Sequence, residues 1–320
     1  MKHYIVLIIV FAILIIALPA GTVQFLSGRS QRAVIPEKIS VYITEEKSIS
    51  IMPYRDYIIG CVLGTVPPDF EKESIKAVAC ACNTLALYQM KHCDRSAAFG
   101  ADVSSDPEQF QPFIQPEQLK EELGGSYSRY FERVGQCVDE ALGSVITYSG
   151  EVIFPAMCSI SAGTTDSAEE VFGEPIEYLK PVNAACDAES PEYISTAMLS
   201  PDYVRRALMK YAEGVQLPPD TASWFTEAEY LPSGTLTKIR YGTAELTGAQ
   251  LREALALRSA AISIEFTEGM LKFTVKGCGN NVGMSVYCAN QLALQGEKMT
   301  DILQYFYPDT VLAAVERPRA

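Results

Sequence analysis

Histidine is almost missing from this chain: His3 and His92 are the two in 320 residues, and neither sits in a context that makes it a base. A serine or cysteine nucleophile activated by histidine is therefore disfavoured, and Ser161, with Gly163 beside it, reads as a turn serine. Basic clusters are lacking as well. Lys and Arg number 26 against 39 Asp and Glu, giving a net charge of −13 and a pI near 4.7, a balance that repels phosphate and excludes nucleic acid as the natural partner. No internal repeat, low-complexity tract or regular βαβ alternation occurs, which argues against solenoids and parallel α/β folds and for an antiparallel α+β domain. Tryptophan appears once, as Trp224. That ring and the clustered Tyr305, Phe306 and Tyr307 could stack on sugars, although a place in the core suits them better. Apolar residues, by contrast, make up 48 % of the chain, enough for a substantial core.

Nine cysteines are present, an odd number whose spacings form no recognisable disulfide framework. Cys80 and Cys82, with His92 and Cys93 nearby, invite a zinc reading. In a helix, however, positions two apart point to roughly opposite sides, so buried structural thiols are expected and no metal or cofactor.

At the N-terminus, Tyr4 to Leu18 form an almost unbroken apolar run behind Lys2. The run is an export segment. Leu18 stands at the third position before a cut after Ala20, which spoils a small-residue cleavage site, so an uncleaved signal anchor over residues 1–26 is expected. A polar tether over 27–38 follows, and then one extracytoplasmic domain over 39–320, with the chain held at the cell membrane by a single pass. Arg29 and Arg32 blunt the charge bias that would set its orientation.

Within that domain, Ile39–Ile43 and Ser48–Met52 alternate apolar and polar residues about a polar turn, the pattern of a hairpin. Asp56–Val62 and Ser74–Leu87 have helical periodicity and are separated by Pro67-Pro68. Residues Gly100 to Pro116 read as a loop and Glu117 to Leu142 as a helix. Ser144–Tyr148 and Glu151–Phe154 form a second hairpin. Tyr193 to Ala212 read as helical, and Leu236 to Ile264 as strand, helix and strand. The expected fold is α+β, with mixed, largely antiparallel sheets and packed helices.

The run Asp56-Tyr-Ile-Ile-Gly-Cys-Val-Leu-Gly-Thr-Val-Pro-Pro-Asp-Phe-Glu71, with the helix after it, resembles the opening motif of the stage II sporulation protein D (SpoIID/LytB) family. Three more blocks are similar to the same family. They are Met157 to Gly173 with Glu177 to Val182, Leu246 to Ser259, and Gly277 to Val286 with Ile302 to Pro308. In the family, a Glu at the position of Thr65 is the acid that cleaves peptidoglycan glycan strands. Other polar positions also depart: Asn83 stands for an Arg, Cys158 and Asn280 for His, Val78 and Val286 for Gln, and Ala162 for Gly. Lys76, Ser161, Gly163, Thr165, Glu169, Gly283, Met284 and Ser285 match. The loop Asp102 to Gln111 has none of the Cys or His ligands that some members carry there.

A lytic transglycosylase needs a carboxylic acid to protonate the glycosidic oxygen and then, as carboxylate, to accept the proton of the muramyl 6-hydroxyl. Threonine can do neither. The resemblance thus implies a degenerate transglycosylase that binds peptidoglycan glycan strands without cutting them. Its substrate-facing set would be Lys76, Asn83, Ser161, Gly163, Thr165, Glu169, Asn280, Met284 and Ser285. It also implies a partner like the sporulation amidase, stage II sporulation protein P. The alternative is an active enzyme whose acid has moved to Asp69 or, better, Glu71.

Overall fold

The computed structural model describes residues 33–316 apart from position 108. The expected anchor over 1–26 and most of the tether lie outside those residues. Among the described residues no helix is long and apolar enough to cross a membrane.

The first hairpin forms as its alternation predicts. Strands β1 (Lys38–Ile43) and β2 (Ser48–Pro53) pair antiparallel, and short β3 (Val103–Ser104) adds parallel to β1. Ile39, Val41 and Ile43 of β1 point inward. Helix α1 (Tyr54–Leu63) follows directly, and α2 (Lys72–His92) starts after the Pro67-Pro68 break. Helix α2 is the centre of the first core. Small side chains, among them Ala77, Ala79, Cys80, Ala81 and Cys82, are buried around its circumference, which lets α1 and three later helices pack close on it.

The expected helix over Glu117–Leu142 is divided into α3 (Pro116–Leu123) and α4 (Tyr127–Ala141). Gly124, at φ +52, and Gly125 begin a short 3₁₀ turn, because glycine adopts positive φ without penalty and is disfavoured in an α-helix interior. Helix α4 buries Tyr130, Val134, Cys137, Val138 and Ala141, a helical stripe laid against α2. Strands β4 (Ser144–Tyr148) and β5 (Glu151–Val152) form the second hairpin and β6 (Met157–Cys158) follows, leading to α5 (Ala168–Phe172).

A second core lies between residues 194 and 276. Here one expectation fails: Tyr193–Ala212 is not one helix but β7 (Ile194–Leu199) followed by α6 (Pro201–Leu208). Ile194, Thr196 and Met198 alternate with Ser195, Ala197 and Leu199, and β7 pairs antiparallel with the strand Met270–Lys276. Ser200 then caps α6 with Pro201 in its first turn, so the apolar spacing that looks helical straddles a strand-to-helix junction. Strands β8 (Phe225–Tyr230), β9 (Leu236–Tyr241) and β10 (Ala244–Thr247) form one antiparallel sheet. Strands β11 (Ala261–Thr267), β12 (Met270–Lys276) and β7 form another. Helix α7 (Gly248–Ala254) starts at a Thr247–Gln250 capping box. Trp224, Tyr241 and Phe273 are buried in this core, and the Trp224 indole N–H donates to the Pro218 carbonyl.

The chain then returns to the first core through β13 (Met284–Ser285), α8 (Val286–Leu294), α9 (Met299–Phe306) and β14 (Val311–Ala314), the last pairing with β4. The stretch expected as a single domain over 39–320 thus carries two hydrophobic cores, the second inserted into the first. The sheets are mixed but largely antiparallel, within an α+β architecture.

Candidate functional site

Thr65 follows the end of α1 and is half-buried. Its hydroxyl donates to the Cys61 carbonyl at 2.7 Å, the back-bonding a threonine makes when it has no other acceptor to serve. The same side chain lies beside the Cys82 thiol, which burial pushes up to about 12. Beyond Cys82 lies Tyr307, whose hydroxyl donates to the Ala156 carbonyl and sits among the Cys80, Cys82 and Cys158 thiols; burial, above all, raises that phenol. The fold therefore brings Thr65 and Cys158 into one neighbourhood, around neutral sulfur and phenol groups.

Cys158 ends β6, which pairs parallel with β13 so that Met157 lies beside Met284 and Cys158 beside Ser285. The glycine turn before β13 makes this pairing possible. A Cβ on Gly283, at φ +74, would lie 2.0 Å from the Ala156 carbonyl oxygen, and one on Gly279, at φ +119, would lie 2.6 Å from Cys158 Cβ. Only glycine fits such backbone approaches.

Two buried polar side chains fasten these loops, and the sequence reading missed both. Asp187 accepts from the Ser161 amide at 2.7 Å and from the Ser285 hydroxyl at 2.8 Å; burial, partly opposed by those bonds, raises its pKa. Asn281, in the left-handed region at φ +65, accepts from the Ala162 amide and donates to the Thr164 carbonyl and to Asp166. Asp166 also accepts from Thr235 at 2.6 Å, which joins the first core to the second. A sequence signal existed for Asn281, since the second Asn of Gly-Cys-Gly-Asn-Asn suits a left-handed turn. None existed for Asp187, whose partners are remote in sequence.

The structure separates the expected substrate-facing residues into two groups. Ser161, Thr165, Met284, Ser285 and Asn83 are buried. Thr165 exchanges hydrogen bonds with Val182, and Ser285 caps α8 by accepting from the Cys288 amide. Asn83 accepts from the Tyr54 hydroxyl and donates to the Ser144 carbonyl. These hydroxyls and amides are committed to partners inside the protein. Gly163 and Asn280 remain partly exposed on the loops, with exposed Ser159 and Thr164 beside them. Lys76 is on another face, paired with Glu73 at 2.6 Å and Glu140 at 3.2 Å, and Glu169 is exposed in the first turn of α5. Glu71 precedes α2, where its amide donates to Asn290. Residues 71 to 82 span about 16 Å along α2 at ~1.5 Å per residue, so Glu71 is far from the turn where Thr65 meets Cys82.

Cys80 and Cys82 are both buried, and no group of His, Cys, Asp or Glu among the described residues is arranged to hold a metal ion. Cys186 and Cys288 form a disulfide between the 3₁₀ turn at Ala185–Glu189 and α8. The spacing of nine cysteines had not revealed it.

Four separated sequence blocks thus converge on one structural unit. The opening turn, the Ser-Ala-Gly loop and the glycine turn meet around α2, the Arg258 carbonyl of the Leu246–Ser259 block accepts from the Gly279 amide, and Thr235 ties in the second core. Such an arrangement defines an α+β domain of the SpoIID/LytB kind. A family model described as "Stage II sporulation protein" matches residues 42–148. The stage II sporulation protein D of Bacillus amyloliquefaciens is 32% identical over 273 residues, covering 85% of this chain and 77% of that protein. The stage II sporulation protein D of Bacillus subtilis is 30% identical over 281 residues, covering 88% and 80%. An "Amidase enhancer" of Bacillus subtilis is 21% identical over 313 residues, covering 80% of this chain and 40% of that protein. The chain belongs to the stage II sporulation protein D family.

Proposed function

We propose that this protein is an exported, membrane-anchored wall protein of sporulation that binds peptidoglycan glycan strands, or an amidase acting on the wall, without cleaving glycan itself. The carrying observation is Thr65, whose hydroxyl is turned into its own helix and toward the Cys82 thiol. Neither group can protonate a glycosidic oxygen and then act as a carboxylate. The disulfide supports an oxidising, extracytoplasmic setting, and the apolar run Tyr4–Leu18 supports export and anchoring. The name of the amidase enhancer relative favours an amidase, such as one like stage II sporulation protein P, as the partner class.

The test is digestion of denuded peptidoglycan by the detergent-solubilised full chain. The expected outcome is pelleting with the insoluble glycan and no release of anhydro-muropeptides. Anhydro products that disappear on Glu71→Gln would establish the relocated acid instead. A chain that does not pellet would remove the glycan half of the reading.

A further inference from the structure

Strand β2 is the outer strand of the sheet it shares with β1 and β3. The Ser40 amide and the Ser40 and Tyr42 carbonyls of β1 bond to Asp102 and Ser105 on the β3 side, so β1 meets β2 through Ile39, Val41 and Ile43. The backbone groups of their partners Met52, Ser50 and Ser48 are thereby used, and the amides and carbonyls of Ile49 and Ile51 face outward. No described residue bonds to them. The two side chains are 48% and 70% exposed, on the same face as Tyr42, which stacks at 4.2 Å on the ring of exposed Phe99. Natural edge strands are kept from pairing by charges, prolines, bulges or shortness. Strand β8 has register shifts together with Glu227 and Glu229, and β3 and β5 are two residues long. Over Ser48–Met52, by contrast, β2 is uncharged, regular in register and free of proline.

We propose that this edge pairs with β2 of a second copy of the chain, antiparallel about a two-fold axis through Ser50. In that register Ile49 lies against Ile51 of the second copy and Ile51 against its Ile49, so the outward backbone groups bond to each other. The apolar row Phe99–Tyr42–Ile49 then continues into the second copy. Charge fits as well. The turn carries exposed Glu45 and Lys47, the other end of the hairpin carries exposed Glu37 and Lys38, and none of the four has an ionic partner among the described residues. Glu46 is held by Ser48 and Gln115, and Arg55 is already paired with Asp56 and Asp139. Antiparallel pairing brings the turn of one copy to the opposite end of the other, so each unpaired acid meets an end that carries an unpaired base. A foreign strand would have to supply both the matching isoleucines and this order of charge, whereas a second copy has them by symmetry. The pairing uses up the free edge of both copies, so assembly stops at a dimer.

The test is mild oxidation of the full chain in detergent after Ser50→Cys. In the paired sheet Ser50 faces its own copy at a non-hydrogen-bonded position, where Cα atoms lie about 4.5 Å apart, within reach of a disulfide. Ser48 faces Met52 of the second copy and stands roughly 13 Å from its own counterpart. Ser50→Cys is therefore expected to give a covalent dimer at least about tenfold faster than Ser48→Cys or the parent, whose own thiols set the background. Ile51→Lys, checked for an unchanged melting temperature, should lower both that crosslinking and the concentration-dependent dimer of the parent about tenfold, and Ile51→Val should keep both. Equal crosslinking at Ser48 and Ser50, or crosslinking that Ile51→Lys leaves intact, overturns the paired edge. A parent that stays monomeric at every concentration also overturns it, and hydrogen exchange then says what takes its place. Slow exchange at the Ile49 and Ile51 amides would mark cover by another segment of the same chain, and fast exchange an edge kept for the strand of a different protein.

Discussion

Thr65 shows how much one side chain decides when its surroundings have changed with it. Removing a general acid costs about 10²- to 10⁴-fold. Introducing a carboxyl by Thr65→Glu would place it beside Cys82 and near Tyr307, both neutral at physiological pH, with no cationic side chain from Asn83 or Cys158 to support it. Acid strength depends on such neighbours. Thr65→Glu is therefore expected to yield less than about a hundredth of the turnover of a Glu-bearing relative, assayed as anhydro-muropeptide release. Robust cleavage would show that the other changes are incidental. Asp187 makes the opposite case, a polar residue whose value lies in being hidden. Asp187→Ala would orphan the Ser161 amide and the Ser285 hydroxyl, at about 1–3 kcal/mol for each unsatisfied buried group. The expected result is a clear fall in the urea midpoint with an unchanged m-value; a midpoint within error of the parent would contradict the hub assigned to it.

At the scale of elements, α2 contributes two buried thiols to the alkaline pH response, alongside Cys61 on α1 and Cys158 on β6. Cys80 and Cys82 are pushed by burial from an ordinary value of 9.0 to about 12. A thiol with a raised folded pKa stays neutral in the folded state while the unfolded chain ionises. Its stabilising effect is complete below about 9 and is lost as pH rises toward about 12, up to about 4 kcal/mol per thiol. Chemical denaturation followed across that range should show falling stability, and Cys82→Ala should make the slope shallower. An identical slope would mean that α2 does not carry the response. Elements also show what was legible. The β1–β2 hairpin, α1, α2, the β4–β5 hairpin and the β9–α7–β11 succession follow from alternation, helical period and the Pro67-Pro68 break, all local properties. The split of α3 from α4 and the β7–α6 junction were misread because apolar spacing alone does not separate a strand-to-helix corner from a helix. For the site, Thr65 and the glycine turn could be read from the motif blocks. Which serines face solvent could not, because Ser161, Thr165 and Ser285 are buried by partners distant in sequence, Asp187 and Val182 among them.

The described residues form two cores joined at a neck, and the neck is where covalent and polar fastenings gather. Residues 194–276 leave the first core after the 3₁₀ turn holding Cys186 and return to it before α8, which holds Cys288, so the disulfide closes the base of the insertion. The Asp166–Thr235–Asn281 hydrogen bonds brace the same junction. A crosslink of sequence separation 102 removes about 4–5 kcal/mol of unfolded-state chain entropy in the loop-closure picture. Because the insertion has its own core around Trp224, Tyr241 and Phe273, that loss on reduction should fall unevenly. Trp224, the sole tryptophan, reports on the second core, whereas α1, α2 and α4 of the first core supply much of the helical circular dichroism. Reduction, or Cys186→Ser, is expected to lower the helical transition well below the oxidised midpoint while the Trp224 fluorescence transition moves little. If the two probes shift together by the same amount, the cores unfold as one unit, and the neck must transmit the disulfide's effect through the Asp166 bonds. A combined Cys186→Ser and Thr235→Val variant would then separate the two transitions, because Thr235→Val removes the Thr235–Asp166 bond that joins the cores once the first core is no longer crosslinked.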